Sequence, residues 1–345
     1  MNRLFQATTL GCVLLGAIFS CAATPSHYSV NASIHLAGEQ GWDLLSVDES
    51  AGRVYVSRGD RIEVVDVHSG KSIGAISGFA GAHAVALAPQ AGKGYATSGK
   101  NSSIVIFDLK TLTTVARIFA GGVKPDAIAF DSVSQRMFVG LAGSNALGVI
   151  DTRSSKLVGT IPLQGNPELM AVDGTGMLYV AVEDKSQVVA IDTRMLHVTA
   201  TWSLAPGEEP TGLAIDPLTR RLFAGCNNHL LMVLDANSGA VIAQLPIGEH
   251  IDGVAFDPAL KRVYSSGGDG TLTVVQEEQG DHFRVLETVL TKRGARTVTV
   301  DPKTHHIYLP SAEYGPTPPV TQENPRPRPP ILSGTVTLLD VSPLS

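Results

Sequence analysis

Seven positions of this sequence carry polar side chains at a nearly constant interval: Asp43, His83, Asp126, Glu168, Thr211, Asp252 and Arg296. Neighbours in the series lie 40 to 44 residues apart. Four are carboxylates, one is an imidazole and one a guanidinium. Gathered around one opening, such a set has two chemical uses. The oxygens of Asp43, Asp126, Glu168 and Asp252 could hold a hard divalent cation. The ring as a whole could instead bind a cationic or polyhydroxylated ligand. Arg296 argues against a dense metal cage unless it sits across the ring from the ligands. The bland alternative is a solvated lining in which Arg296 simply pairs with Asp252. Nothing in the chain has the form of a GxSxG elbow, a phosphate-binding Walker loop or a zinc CxxC pair.

The interval belongs to a larger repeat. Five residues after each of those positions stand Asp48, Ala88, Asp131, Asp173, Asp216, Asp257 and Asp301, most of them opening an Asp-Pro-like turn. An apolar run ending in Asp follows each turn, at Asp66, Asp108, Asp151, Asp192, Asp235 and Asp340, with Gln276 in the sixth unit. Each unit reads as four short strands rich in Val, Ile, Thr and aromatics, separated by Gly, Asp, Pro and Ser turns. Third strands such as residues 104–107 and 230–234 are apolar at nearly every position, as expected when both faces are covered. A four-stranded unit repeated seven times predicts an all-β, seven-bladed β-propeller. The last unit stops at its third strand, and residues 28–36 read as a stray fourth strand. The N-terminal strand is therefore expected to complete the last blade and close the ring, which removes exposed edges.

The second strands RVYVSRGD, GYATSG, RMFVG, LYVAVED, RLFAGCNN, RVYSSGGD and HIYLPS resemble the YVTN-type β-propeller repeat. The flanking Asp-Pro turn and the run ending in Asp are similar too. The resemblance covers residues 28–345. It implies an exported bacterial seven-bladed propeller and leaves the activity open, since a fold does not fix a function.

Residues 1–23 read as a secretory signal peptide, with a basic start, a short apolar run and small residues at the end. The mature propeller is then 24–345, exported to the periplasm or the cell exterior. Residues 18–21 also approach a lipobox, so Cys21 is a candidate lipid anchor. No run is long enough for a transmembrane helix. Net charge is −6 and no Lys/Arg cluster stands out, so nucleic acid is not an expected partner. The expected partner is a small molecule or a cell-envelope protein or peptide, met by a monomer. Cys226, without a partner cysteine in the mature chain, reads as a small buried apolar residue.

Residues 313–333 interrupt the seventh unit with EYGPTPPVTQENPRPRPPILS. Its prolines favour extended polyproline II and oppose strand pairing. It is either a flap over the channel, a peptide offered to a partner, or a plain long loop. His229 and His250 could join His83 in a metal or acid–base set, though no HxH or HExxH spacing supports it. His305 and His306 belong to the opposite end of their blade, and Trp202 to an outer strand. Three functions compete. The first is a non-enzymatic binding module. The second is a lactonase-like hydrolase or lyase using a divalent cation at the channel mouth. The third is an accessory propeller in a quinoprotein pathway.

Overall fold

The computed structural model describes residues 27–322 and 327–344; the expected signal peptide and Cys21 lie outside the described residues. Apart from four one-turn 3-10 segments, every regular element described is a strand. Five antiparallel sheets have four strands each, and a sixth has seven.

The turn that opens each repeat explains why the sheets form. Asp48 accepts hydrogen bonds from the backbone N–H of Ser50 and Ala51 at 3.1 and 3.0 Å. Asp257 does the same for Ala259 and Leu260 at 2.9 and 3.1 Å. The carboxylate thus caps a tight turn, as short acidic side chains do. The turn ends on a left-handed residue, such as Gly52 (φ 62°), Arg220 (φ 60°) or His305 (φ 64°). Pairing then begins at once, with Asp48 opposite Arg53 and Asp216 opposite Arg221. Two of these left-handed residues also reach the preceding sheet. Arg220 bonds Asp173, and His305 Nδ1 lies 2.7 Å from Asp257.

The second strand contributes a large wedge. Tyr55, Tyr95, Phe138, Tyr179, Phe223, Tyr264 and Tyr308 are all buried. Tyr95 and Tyr179 donate their hydroxyls to the carbonyls of Thr152 and Ala236 in the next sheet, so burial leaves no unpaired O–H there. Apolar clusters form between neighbouring units: Tyr179, Val188 and Ala190 of one sheet pack with Leu213, Leu222 and Met232 of the next. Burying one such side chain contributes about 1.5–3 kcal/mol. Outer strands differ. Thr114–Phe119 and His197–Ser203 are exposed at alternate positions or more, having one wet face.

The innermost strands form a cycle of contacts. Leu45–Asp48 touches Lys71–Ala88, which touches Pro125–Asp131; contacts continue through Pro167–Val172, Pro210–Asp216, Ile251–Asp257 and Thr299–Val300, and return to Leu45–Asp48. Tyr28–His35 pairs with Thr337–Pro343, Tyr28 opposite Pro343 and His35 opposite Thr337. The first described strand is thus the outer edge of the sheet that holds the last.

One feature departs from the sequence pattern. Two strands are expected between Asp66 and Pro89, and one is found, Lys71–Ala88, which joins two sheets into the seven-stranded one. The repeat is shortest here, and the connecting residues 77–82 are Ser, Gly, Phe and Ala only. The chain has little room for a loop and stays extended, with Gly78 and Gly81 at φ 90° and 77° taking the bend.

Candidate functional site

Asp43 and Arg296 stand just before the inner strands Leu45–Asp48 and Thr299–Val300, and His83 lies within Lys71–Ala88, five residues before its end. Asp126, Glu168, Thr211 and Asp252 are the second residues of Pro125–Asp131, Pro167–Val172, Pro210–Asp216 and Ile251–Asp257. This end of the strands is opposite the Asp turns. Hydrogen bonds between units hold it: Leu44 N–H donates to His83 O at 3.0 Å, the Thr297 hydroxyl to Asp43 O at 3.0 Å, and Asp252 N–H to Arg296 O at 3.2 Å.

His83 Nδ1 lies 2.7 Å from Asp43 Oδ2 and 3.8 Å from Asp126 Oδ1. A carboxylate only accepts, so Nδ1 carries the proton. The ring is wedged against Gly99, where a Cβ would come within 2.6 Å of Nε2. The Asp43 bond holds the His83 pKa above its usual value, against the effect of burial. One ligand atom from each of Asp43, His83 and Asp126 lies within 4.8 Å of the others. These three form a compact imidazole–carboxylate set.

The remaining carboxyls are crowded. Burial pushes Asp126 up to about 6, with His83 opposing and Asp43 adding to the rise. Glu168 is raised further by burial and by the charges of Asp126 and Glu183. Asn166 Nδ2 donates to both Glu168 and Glu183, at 3.0 and 2.9 Å, while its own Oδ1 is buried without a partner. Burial raises Asp252 as well, although Arg296 Nε sits 2.7 Å from its Oδ2. Arg296 is therefore committed to Asp252, as the bland reading expected for that pair. Thr211 Oγ1 donates to Ile251 O. His250 lies beside this group, whereas His229 and His250 do not join His83 in a metal-ligand cluster among the described residues. His305 and His306 bond Asp257 and Asp340 at the turn end. Cys226 is buried, and burial lifts its thiol to about 12.

Next to the Asp252–Arg296 pair is a cavity of about 810 Å³. Trp42, Arg293 and Tyr314 form part of its wall, and so do Pro327, Pro329 and Ile331 of the proline-rich insertion. The insertion begins and ends as a hairpin. Tyr314 bridges to Ile331, Gly315 N–H donates to Pro330 O at 2.8 Å, and Leu332 N–H to Glu313 O at 2.9 Å. Tyr314 meets Trp42 edge-on, with ring centroids 6.4 Å apart. Trp42, Arg293, Tyr314 and Glu183 were not singled out from sequence. None stands at the repeating position, and Trp42 had only its place beside Asp43 to mark it. A second cavity, about 460 Å³, lies far out among Leu163, Val189, Leu196 and Val198 and includes none of these groups.

No protein-family model matches the chain, and no curated protein does. Solved structures match along most of its length. A chain of Kuenenia stuttgartiensis hydrazine synthase superposes with a TM-score of 0.70 at 17% identity, over 80% of this chain and 94% of that one. U3-55K superposes at 0.75 and 11% identity, over 91% and 98%. The WD40 repeats of RRP9 superpose at 0.75 and 11%, over 90% and 97%. The fold is a β-propeller. At such identities the likeness extends to the fold alone, and the propeller's function has to be argued from its own side chains. No helix among the described residues is long and apolar enough to cross a membrane.

Proposed function

We propose that this propeller is an exported, non-enzymatic binding protein, seven-bladed and of the YVTN-repeat kind, whose acidic channel mouth receives a ligand or a cell-envelope partner. The count of seven blades is supported by the contact cycle of inner strands, if Lys71–Ala88 is divided between two blades. Export rests on the sequence of residues 1–23. The observation that carries the binding role is the concentration of carboxyls with too few cations. Asp43, Asp126, Glu168, Glu183 and Asp252 share one end of the strands, while Arg296 satisfies only Asp252. Such crowding does not help the fold, and an incoming cation would relieve it. The expected ligand presents a cationic or polyhydroxylated group.

A second reading is favoured by the spacing of Asp43, His83 and Asp126. One imidazole and two carboxylates suit a divalent ion, with His83 moving its proton to Nε2 to free Nδ1. Such an ion would polarise a carbonyl, the chemistry of a lactonase-like hydrolase.

Thermal melts in EDTA and then in excess Mn²⁺, Zn²⁺ or Ca²⁺ separate the readings. An ion at 100 times its Kd adds about 2.7 kcal/mol to the folded state. An ion-specific rise that Asp126→Asn removes favours the second reading, and lactone turnover becomes the next assay. A flat metal response, with saturable calorimetric binding of polyamines that Asp126→Asn or Glu168→Gln weakens, favours the first. No response to either kind of cation would sink the acidic mouth as a binding face.

A further inference from the structure

The cavity beside the acidic cluster has the opposite character. Arg296 is neutralised by Asp252, but Arg293 is not neutralised by anything described. Its guanidinium lies over the Tyr314 ring, 5.7 Å from the centroid, and it has no carboxylate partner among the described residues. Arg328 also lines the cavity. Neither Arg293 nor Arg328 has a carboxylate partner among the described residues, so the described wall carries two cations and one neutral ion pair.

Beside these cations the wall is aromatic and apolar, while Thr211, Asn227 and His250 add polar groups elsewhere. Trp42 and Tyr314 stand edge to face, and Ile331 packs with them. Trp42 is 8% exposed, and its indole N–H, which can only donate, has no acceptor among the described residues. Such a buried donor is one that a ligand oxygen could satisfy.

The wall is also fixed in place. Ser311 Oγ donates to Arg293 O at 2.8 Å. Gly294 has φ 84°, and a Cβ there would fall 1.9 Å from the Tyr314 hydroxyl. Only glycine lets residues 292–296 lie against the hairpin, and that contact brings Arg293 over the ring. The volume, about 810 Å³, falls within the range of roughly 300–1,000 Å³ usual for small-molecule sites.

We infer that this cavity is a subsite for a small organic anion with a flat, unsaturated body, such as an aryl carboxylate or aryl phosphate. The anionic group faces Arg293 and Arg328, and the ring lies along Trp42 and Tyr314. Charge-assisted bonds from guanidinium suit both kinds of anion. The inference rests on the channel mouth being a binding face, but on residues other than the acidic cluster.

Calorimetric titration of the full propeller with naphthoate and naphthyl phosphate tests it. Inorganic phosphate and naphthalene methanol supply each half of the ligand alone, and naphthylmethylammonium reverses the charge. Saturable binding of the two aryl anions is expected, with weaker binding of either half and none of the cation to this cavity. Arg293→Gln should weaken the aryl anions about tenfold, the loss of one charge-assisted contact. This exposed residue can be changed without unfolding the protein, which an unaltered melting curve would verify. Asp126 does not line the cavity, so Asp126→Asn should not weaken the aryl anions, and the loss of a neighbouring negative charge should if anything tighten them. Equal binding of the alcohol and the anions would overturn the inference, as would indifference to Arg293→Gln or no saturation at millimolar ligand. If the aryl anions fail while Asp126-dependent cation binding persists, the subsite falls and the acidic mouth stands. The reverse pattern removes the acidic mouth and keeps the subsite.

Discussion

At the turn end of the strands, Asp173 accepts backbone bonds from Thr175, Gly176 and Met177 and an ion pair from Arg220. At the mouth end, Asp126 faces an imidazole at 3.8 Å and several other carboxyls. The residue type is the same and the electrostatic settings are opposite. Hydrogen bonds hold Asp173 below its ordinary value, and the half-buried turn carboxylates Asp108, Asp151 and Asp192 likewise. Burial and like charge push Asp126, Glu168 and Asp252 up. One group of carboxylates builds the repeat, and the other works against it. Glu277 is the exception at the turn end. It is buried beside Asp216, and both accept from Thr219. It is raised for the same reason as the mouth groups.

The largest test of this contrast is a pair of substitutions. Asp173→Ala should destabilise the protein by about 3–5 kcal/mol, because Arg220 and three turn N–H groups lose their acceptor. Asp126→Asn should do the opposite and stabilise it by about 1–2 kcal/mol at pH 8, since it removes a crowded charge. Urea unfolding measures both, and equal destabilisation would break the comparison.

Gly99→Ala comes next. The new Cβ would displace the His83 ring, weakening its bond to Asp43. The expected results are a fall in the His83 pKa, read by NMR titration of the imidazole, and a loss of about 1–3 kcal/mol from overpacking. An unmoved titration would mean that Asp43 does not set the proton on His83.

The pH dependence sharpens the contrast further. Asp126 has a folded pKa of about 6 against an ordinary 3.8, so the native state holds more protons than the unfolded chain between those values. Stability must therefore fall as pH rises from about 4 through 6. Glu168 and His83, also raised, act in the same direction. The lowered turn carboxylates act in the other direction, and the stability they supply is lost as pH falls below about 4. Asp126→Asn should flatten the alkaline arm and leave the acid arm unchanged. The smallest effect expected is that of Tyr314→Ala, about 1 kcal/mol for the lost edge contact with Trp42, read as a slight drop in Tm.

The repeat could be read from sequence because its grammar is local. An Asp that caps a turn, a basic residue and an aromatic wedge act within a few residues of one another. The common position of Asp43, His83, Asp126, Glu168, Asp252 and Arg296 was legible for the same reason. Their pairing was not, because it depends on angles around the ring and on side-chain reach. His83 turning toward both Asp43 and Asp126 has no sequence signal. Arg293, Trp42 and Tyr314 stand outside the period, so counting along the repeat passes over them. The fusion of two sheets through Lys71–Ala88 needed knowledge of how closely the units approach.

The pairing of Tyr28–His35 with Thr337–Pro343 governs the order of folding. The earliest described strand must wait for the last described one to be synthesised. Until then the strand has no place to dock, and the sheet it completes has an open edge. Contacts between units can form progressively as the chain lengthens, but closure is a single late event of very high sequence separation, and such contacts form slowly. A chain interrupted before Thr337 would retain most of its local structure and still present two unpaired strands to its neighbours.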